Sequence, residues 1–391
     1  MTFKGSKYLS DRVVSLPPSG IRKFFDVASQ MENVISLGVG EPDFVTPWHI
    51  IESSYYSMER GHTSYTSNLG LLELRQAISE RIYRKYGVQY DPTREVLVTT
   101  GVSEALDLAI RALVSPGDEV IITEPCYVSY KACIHLSGGV AVIVDTFVEN
   151  EFKPAPEDIA KRITRKTKAI VLSYPNNPTG AIADRATLEK IAELAKAYDL
   201  IVISDEIYDE LTYDGVHTCI ASLPGMKDRT VLLNGFSKAY AMTGWRIGYV
   251  AGNEDIVGAM MRIHQYTMLC APVMAQKAAI EALVRGESEM KRMVSEYNRR
   301  RRYIVKRLNS IGLTCFEPKG AFYAFPSIRS TGLSSEEFCN RLLEEERVAV
   351  VPGNAFGAAG EGYVRCSYAA SLAEIEEAIN RMERFVSRHA G

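Results

Sequence analysis

Short, continuous apolar runs alternate with helix-patterned stretches through the middle of this 391-residue chain. The runs at 95–99, 119–122, 140–144, 169–172, 200–203 and 231–233 are rich in Val, Ile and Leu. Between several of them, apolar residues recur at helical spacing, as in 103–114, 127–136 and 187–198. A strand with apolar residues on both faces is expected to be covered on both faces. Alternation of such strands with helices predicts a mostly parallel α/β sheet. Ligands of these sheets bind outside the carboxyl ends of the strands. Residues that directly follow each run are therefore the first candidates for chemistry.

The pattern changes toward the C-terminus. A charged helical stretch over 287–308 contains Arg299-Arg300-Arg301-Arg302. Glu287, Glu289 and Glu296 precede that basic run on the same helix, so it reads as a solvated face and not as a nucleic-acid contact. After Gly312 the order becomes α+β: an apolar run at 321–325, a helix at 335–346, runs at 348–351 and 363–367, and a last helix at 373–386. The chain is too long for one simple core. The expected organisation is an N-terminal arm and small-domain segment over 1–46, a large domain over 47–285, and a smaller α+β domain over 286–391. No repeat or low-complexity tract interrupts it.

Composition mainly removes alternatives. A net charge of −3 gives no general attraction to nucleic acid or to an anionic membrane surface. No apolar stretch reaches the length of a membrane span, and the first residues do not form a secretory apolar core. Seven cysteines at irregular spacing, without a C-x-x-C, favour reduced thiols in the cytoplasm. The six histidines form no H-E-x-x-H, and no metal site is expected.

Chemistry concentrates around Lys238, in Gly235-Phe236-Ser237-Lys238-Ala239-Tyr240-Ala241-Met242-Thr243-Gly244-Trp245-Arg246-Ile247-Gly248. Lysines usually lie on solvated faces. Phe236, Met242, Trp245 and Ile247 surround this one with apolar bulk. A lysine amine can form a Schiff base with an aldehyde. An arginine such as Arg246 can hold a phosphate. Aldehyde plus phosphate describes pyridoxal 5′-phosphate (PLP). Asp205 closes the run at 200–203 and opens Asp205-Glu206-Ile207-Tyr208. A carboxylate there can keep a pyridine nitrogen protonated, although alone it could be a helix cap. Thr100-Gly101-Val102-Ser103 joins a strand-like run to a helix, where free N–H groups of Gly101, Val102 and Ser103 could bind an anion. Ser103 could equally be only a cap, and Ser237 could add a hydroxyl. Asn177, in Tyr174-Pro175-Asn176-Asn177-Pro178-Thr179-Gly180, sits in turn chemistry directly after a strand-like run. Arg365, in a strand-like run, would be costly to bury unpaired. Either a surface salt bridge or a carboxylate ligand would satisfy it.

The Lys238 run resembles, at nearly every fixed position, the lysine-attachment segment of class I/II (fold type I) PLP aminotransferases. The resemblance extends from Pro17-Pro18-Ser19-Gly20-Ile21-Arg22-Lys23-Phe24-Phe25 to the final helix. It is strongest to a bacterial and archaeal subgroup that includes aspartate, aromatic and N-acetyl-diaminopimelate enzymes. His264-Gln265-Tyr266 and Val351-Pro352-Gly353-Asn354-Ala355-Phe356-Gly357 also look like that subgroup. It implies a large domain with a mostly parallel seven-stranded sheet plus the smaller α+β C-terminal domain.

For the site, the resemblance implies that Asn177 and the Tyr208 hydroxyl bond the phenolic oxygen of the PLP ring. Tyr127 would stack on that ring. Arg365 would hold the substrate carboxylate, flanked by the backbone at Gly40, and Asn177 would also reach the substrate. Tyr65 would reach the phosphate in a neighbouring subunit, giving a homodimer with composite active sites. Related enzymes often carry Ser where this chain has Gly235, so one phosphate hydroxyl is missing here. Gly38-Val39-Gly40-Glu41-Pro42-Asp43 is no dinucleotide fingerprint, because Asp43 stands where a third glycine is needed.

The expected reaction moves an amino group from an L-amino acid, aromatic or aspartate-like, to a 2-oxo acid such as 2-oxoglutarate, with Lys238, Asp205 and Tyr208 as catalytic residues. A C–S β-lyase on the same fold and a non-catalytic PLP-binding regulator are the alternatives. Arg22, Tyr65 and the loop around Asn68 are candidates for the distal pocket.

Overall fold

The computed structural model describes residues 5–17 and 31–389. Arg22 and segment 18–25 of the family resemblance lie outside them. Strand β1 (Ile35–Ser36) comes first. The central sheet then uses β2 (Val96–Thr99), β3 (Glu119–Glu124), β4 (Val140–Asp145), β5 (Thr167–Ser173), β6 (Ile201–Asp205), β7 (Thr230–Gly235) and β8 (Gly248–Ala251). Its seven strands run in the order β2-β8-β7-β6-β5-β3-β4. Only β8 is antiparallel to its neighbours β2 and β7.

The apolar runs are continuous because alternate residues serve two different cores. In β5, Ala169 and Val171 belong to a buried cluster with Ala105, Leu108 and Ala109 of the helix Val102–Leu113. Ile170 and Leu172, on the opposite face, belong to a second cluster with Leu188, Ile191 and Ala195 of the helix Arg185–Ala197. Every one of these side chains is buried, which is the two-sided coverage expected of a parallel sheet. Strand β8 was not among the expected strands. With Gly248 and Ala251 at its ends and only four residues, it carries little strand propensity of its own. Its place comes from pairing on both sides.

Beyond the sheet, β9 (Tyr323–Ala324), β10 (Val348–Ala349), β11 (Val351–Pro352) and β12 (Val364–Ser367) follow. The order β11-β12-β9 makes a three-stranded antiparallel sheet. The N-terminal β1 pairs with β10 in parallel, Ile35 opposite Val348, which ties the start of the chain to its C-terminal part.

The helix Glu287–Ser310 corrects one expectation. Arg299 and Arg302 are exposed, but Arg300 and Arg301 are buried. Arg300 bonds Asp43 at 2.8 Å and Glu296 at 2.9 Å. Arg301 pairs with Asp214 and donates to the Pro318 carbonyl at 2.8 Å. The run is therefore only half a solvated face. Arg301 follows Tyr297 by one turn and precedes Ile304 and Leu308 on the buried stripe of the helix. Among the described residues no helix is long and apolar enough to cross a membrane, and no cluster of acidic, His or Cys side chains is arranged to hold a metal ion.

Candidate active site

The carboxyl ends of β2, β5, β6 and β7 form one edge, and each is followed by a segment that reaches a common cavity. Register brings them level: Ser173 of β5 is opposite Asp205 of β6, and Asp205 is opposite Leu233 of β7. The cavity holds about 330 Å³, enough for a small cofactor and substrate. Its floor comes from this edge, and its far wall from Tyr323 and Arg365 of the C-terminal sheet.

Lys238 follows β7 in a tight turn, in which Tyr240 N–H donates to the Phe236 carbonyl at 3.2 Å and Met242 N–H to that of Ser237 at 3.2 Å. Phe236 and Met242 are buried and anchor the turn, so the lysine between them points into the cavity. Its amine donates to the Gly40 carbonyl at 2.6 Å. Burial first, then the positive charges of Arg365 and Arg246, push the amine down to about 8, against the pull of Glu41 and Asp205. Asp205 is buried and accepts from the Tyr130 hydroxyl at 2.7 Å and from Ile207 N–H at 3.2 Å. Burial drives its carboxyl up to about 6, although these hydrogen bonds oppose it. A cation placed beside Asp205 would favour the ionised form of both groups. Behind this segment, the Arg81 guanidinium bonds Asp209 at 2.8 Å and Glu210 at 2.6 Å, fixing the end that follows Tyr208.

At the opposite wall Arg365 is 3% exposed. It donates to Asn177 Oδ1 at 2.8 Å and to the Gly38 carbonyl at 2.6 Å. Its guanidinium lies 4.5 Å from the centroid of the Tyr323 ring and 4.8 Å from that of Phe356. Among the described residues no carboxylate pairs with it, and its buried Nε has no hydrogen-bond partner. A surface salt bridge is thereby excluded as its role. A buried cation without an anion, beside a cavity, is suited to an anionic ligand.

At the third side, Gly101 precedes the helix Val102–Leu113 with φ at 78° and no side-chain cap. The first N–H groups of that helix lack intrahelical acceptors. A Cβ on Gly101 would come within 2.7 Å of Arg246 Nη2, so the bare backbone lets the guanidinium close on this turn. Arg246 itself holds a left-handed φ of 50° and donates from Nη1 to the Thr243 carbonyl at 3.0 Å.

The set fits PLP. It offers an amine for an aldehyde, a buried carboxylate for a ring nitrogen, the N–H groups of a helix start with an arginine for a phosphate, and a guanidinium without a carboxylate partner for a substrate carboxylate. The family profile for aminotransferase class I and II matches residues 32–382. The chain belongs to the class I and II aminotransferases. It is a PLP-dependent enzyme that transfers amino groups. This aminotransferase is 55% identical over 383 residues to YugH of Bacillus subtilis (strain 168), a relative whose name carries no substrate, with 98% of this chain and 99% of that protein covered. It is 47% identical to an aspartate aminotransferase of Pyrococcus abyssi (strain GE5 / Orsay), covering 96% of this chain and 97% of that one. A solved aromatic aminotransferase from Pyrococcus horikoshii OT3 superposes with a TM-score of 0.90 at 46% identity, covering 93% of this chain and 99% of that one.

The aminotransferase cavity gathers nearly all the residues singled out in the sequence: Lys238, Asp205, Tyr208, Asn177, Tyr127, Val102, Ser103, Ser237, Arg246, Arg365 and Gly40 line it. Gly101 lies just behind, against Arg246. Tyr65 is outside the cavity and 81% exposed. The Gly40 carbonyl takes the Lys238 amine. The Tyr208 hydroxyl meets the Tyr323 hydroxyl at 2.6 Å, while Asn177 engages Arg365. Gly235 explains its own departure from the family pattern. A Cβ there would meet Gly248 Cα, the Ile247 carbonyl and Val102 Cγ2, all at 3.1 Å.

The lining residues that the sequence reading did not assign include Tyr130, Tyr323 and Thr243. Thr243 lies inside the quoted lysine run and donates to Glu41 Oε1 at 2.6 Å. Tyr130 could have been found as a tyrosine one helical turn from Tyr127. Tyr323 carries no local signal beyond its strand.

Proposed function

We propose that this enzyme moves the amino group of an aromatic or aspartate-like L-amino acid to a 2-oxo acid, 2-oxoglutarate being the expected acceptor, in two half-reactions at one site. The observation that carries the reading is the pairing of Lys238, its amine drawn down to about 8, with the unpaired, buried Arg365 across the same cavity. The donor classes are those named for the Pyrococcus abyssi and Pyrococcus horikoshii relatives, each at close to half identity.

Bound PLP supplies an aldehyde that exchanges amines and a ring that withdraws electrons from the substrate α-carbon. In this reading the Lys238 amine would hold the aldehyde. When not so engaged, the same amine would take or give the proton at the substrate α-carbon. Asp205, kept in place by Tyr130, would keep a proton on the ring nitrogen. Tyr208 and Asn177 would serve the ring oxygen, and Tyr127 would pack against the ring. Gly101, Val102, Ser103, Ser237 and Arg246 would hold the phosphate. Arg365, with Asn177 and the backbone at Gly40, orients the substrate carboxylate so that the α-proton faces Lys238.

We also infer a homodimer in which Tyr65 reaches the partner's phosphate; its exposure outside its own cavity supports this. The division into 47–285 and 286–391, the latter joined by 1–46, is supported by the pairing of β1 with β10. The cytoplasm is the proposed compartment, on the spacing of the seven cysteines.

A half-reaction screen tests the function. Purified enzyme carrying PLP is mixed with single amino acids, and the change in its absorbance is followed. Aromatic amino acids or aspartate should convert the chromophore fastest, and 2-oxoglutarate should restore it. Pyruvate and ammonia released from cystathionine without any oxo acid would instead make it a β-lyase.

A further inference from the structure

The segment His264-Gln265-Tyr266 plays no part in the site described so far, yet His264 is fully buried. It lies on the helix Glu254–Thr267, which packs on the helix Val102–Leu113. Its Nδ1 is 2.6 Å from Glu104 Oε1. The other oxygen of Glu104 accepts from the backbone N–H of Thr100. Glu104 therefore clasps the turn 100–103 from below, and His264 clasps Glu104. Burial works to raise the Glu104 carboxyl, but the hydrogen bonds from His264 and Thr100 outweigh it and hold the group below its usual range. An ionised carboxylate in the first turn of a helix would ordinarily compete with any anion bound at that helix start. Here both of its oxygens are already engaged, one by the turn and one by the histidine. Among the described residues the buried His264 Nε2 has no partner. That is a cost tolerated for the contact at the other ring nitrogen.

We propose that Glu104 and His264 are positioning residues that hold the turn Thr100–Ser103 in the shape that binds the cofactor phosphate. This rests on the reading of that turn as the phosphate cradle. Neither residue lines the cavity, so both act through the backbone. Glu104 fixes the Thr100 N–H, which orients the following peptide units. His264 fixes the Glu104 carboxylate. The contribution should appear only with ligands that carry a phosphate.

The test compares PLP with pyridoxal, which has the aldehyde and ring but no phosphate. Equilibrium dissociation constants of both are measured by absorbance on the full-length protein, in the wild type and in His264→Leu, Glu104→Ala and Glu104→Gln. In His264→Leu and Glu104→Ala the PLP constant should rise about tenfold, as for the loss of a hydrogen bond to a charged group, with pyridoxal unchanged. Glu104→Gln retains an acceptor for Thr100 and should keep most of the PLP affinity. If one variant fails to fold, the others still decide. Equal weakening of both ligands, or no change in either, overturns the positioning role. A wild type that binds pyridoxal as tightly as PLP overturns the cradle reading itself, and with it this proposal.

Discussion

The floor and the far wall of the cavity are built in opposite ways. The floor is made of short segments that leave parallel strands at the same edge, so Asp205, Asn177, Lys238 and the Gly101 turn are level because β2, β5, β6 and β7 are in register. The wall is made of side chains that are far apart in sequence and held by one another. The Arg365 guanidinium lies 4.5 Å from the Tyr323 ring centroid, and the Tyr208 hydroxyl meets Tyr323 across 115 positions. A floor built on backbone register tolerates change around it, whereas a wall built on mutual side-chain contacts couples every member to the next. The floor should therefore yield all-or-none effects at single chemical groups, and the wall graded, shared ones.

Lys238→Ala gives the largest expected effect. It removes both the attachment amine and the proton carrier, and turnover should fall by at least about 10⁴-fold. The variant should still fold, because the turn is anchored by Phe236 and Met242. Transamination at near wild-type rate would break the floor assignment. In the wild type, a subtler check uses pH. The lysine must lose its proton to attack an aldehyde, and its value is pushed down to about 8. PLP loading onto cofactor-free protein should speed up as pH rises through that value and then level off. A rate flat from about pH 6 to about pH 10 would show that Lys238 is not the limiting group.

Arg365→Leu comes next and probes the wall. Loss of a bidentate, charge-assisted contact of about 3 kcal/mol corresponds to a fall of about 100-fold in kcat/KM for amino acids. Most of it should appear in KM, because the carboxylate is held equally before and during the reaction. Steady-state kinetics with amino acids and with the corresponding amines separates the cases. The amines, which lack the carboxylate, should lose nothing. Equal losses on amines would mean that Arg365 serves the architecture of the wall and not the substrate.

These two residues also differ in how visible they are from sequence. Lys238 sits in one contiguous run whose small and apolar neighbours already define its environment, and Asp205 and Asn177 each follow an apolar run directly. Local order was enough to find the floor. Tyr130 donates to Asp205 from 75 positions away and had only its spacing from Tyr127 to point to it, and Tyr323 enters the site through a contact that no local pattern encodes. Strand β8 is similar, since its four residues gain strand geometry from two neighbours and not from their own propensity. Arg301 is a different kind of miss. Its spacing from Tyr297, Ile304 and Leu308 puts it on the buried stripe of its helix, but four consecutive arginines drew attention to charge and away from phase. A long side chain can line an apolar face and still reach polar partners at its end. Arg301→Leu should keep the packing and lose the contacts to Pro318 and Asp214. A destabilisation of about 1–2 kcal/mol is expected in denaturant unfolding, with kcat unchanged. A loss of activity at full stability would extend the functional wall into that helix.

Tyr323→Phe should give the smallest effect and the sharpest view of the coupling between floor and wall. The phenylalanine keeps the ring that faces the Arg365 guanidinium at 4.5 Å, and removes only the hydroxyl that meets Tyr208. If Tyr208 donates its proton to the cofactor ring oxygen, Tyr323 is left to donate to Tyr208, and that second bond strengthens the first. Without it, Tyr208 becomes a weaker donor. Turnover should fall by about fivefold, the size of one neutral hydrogen bond. The pH at which the bound chromophore changes its absorbance should move upward, because the negative charge on the ring oxygen is less well held. KM for amino acids should stay put, since Arg365 keeps its ring contact. Tyr323→Leu, which loses the ring as well, should add a rise in KM. A Tyr323→Phe enzyme with an altered KM and an unmoved absorbance titration would reverse the assignment. Tyr323 would then belong to the carboxylate clamp alone, and floor and wall would meet only through the substrate.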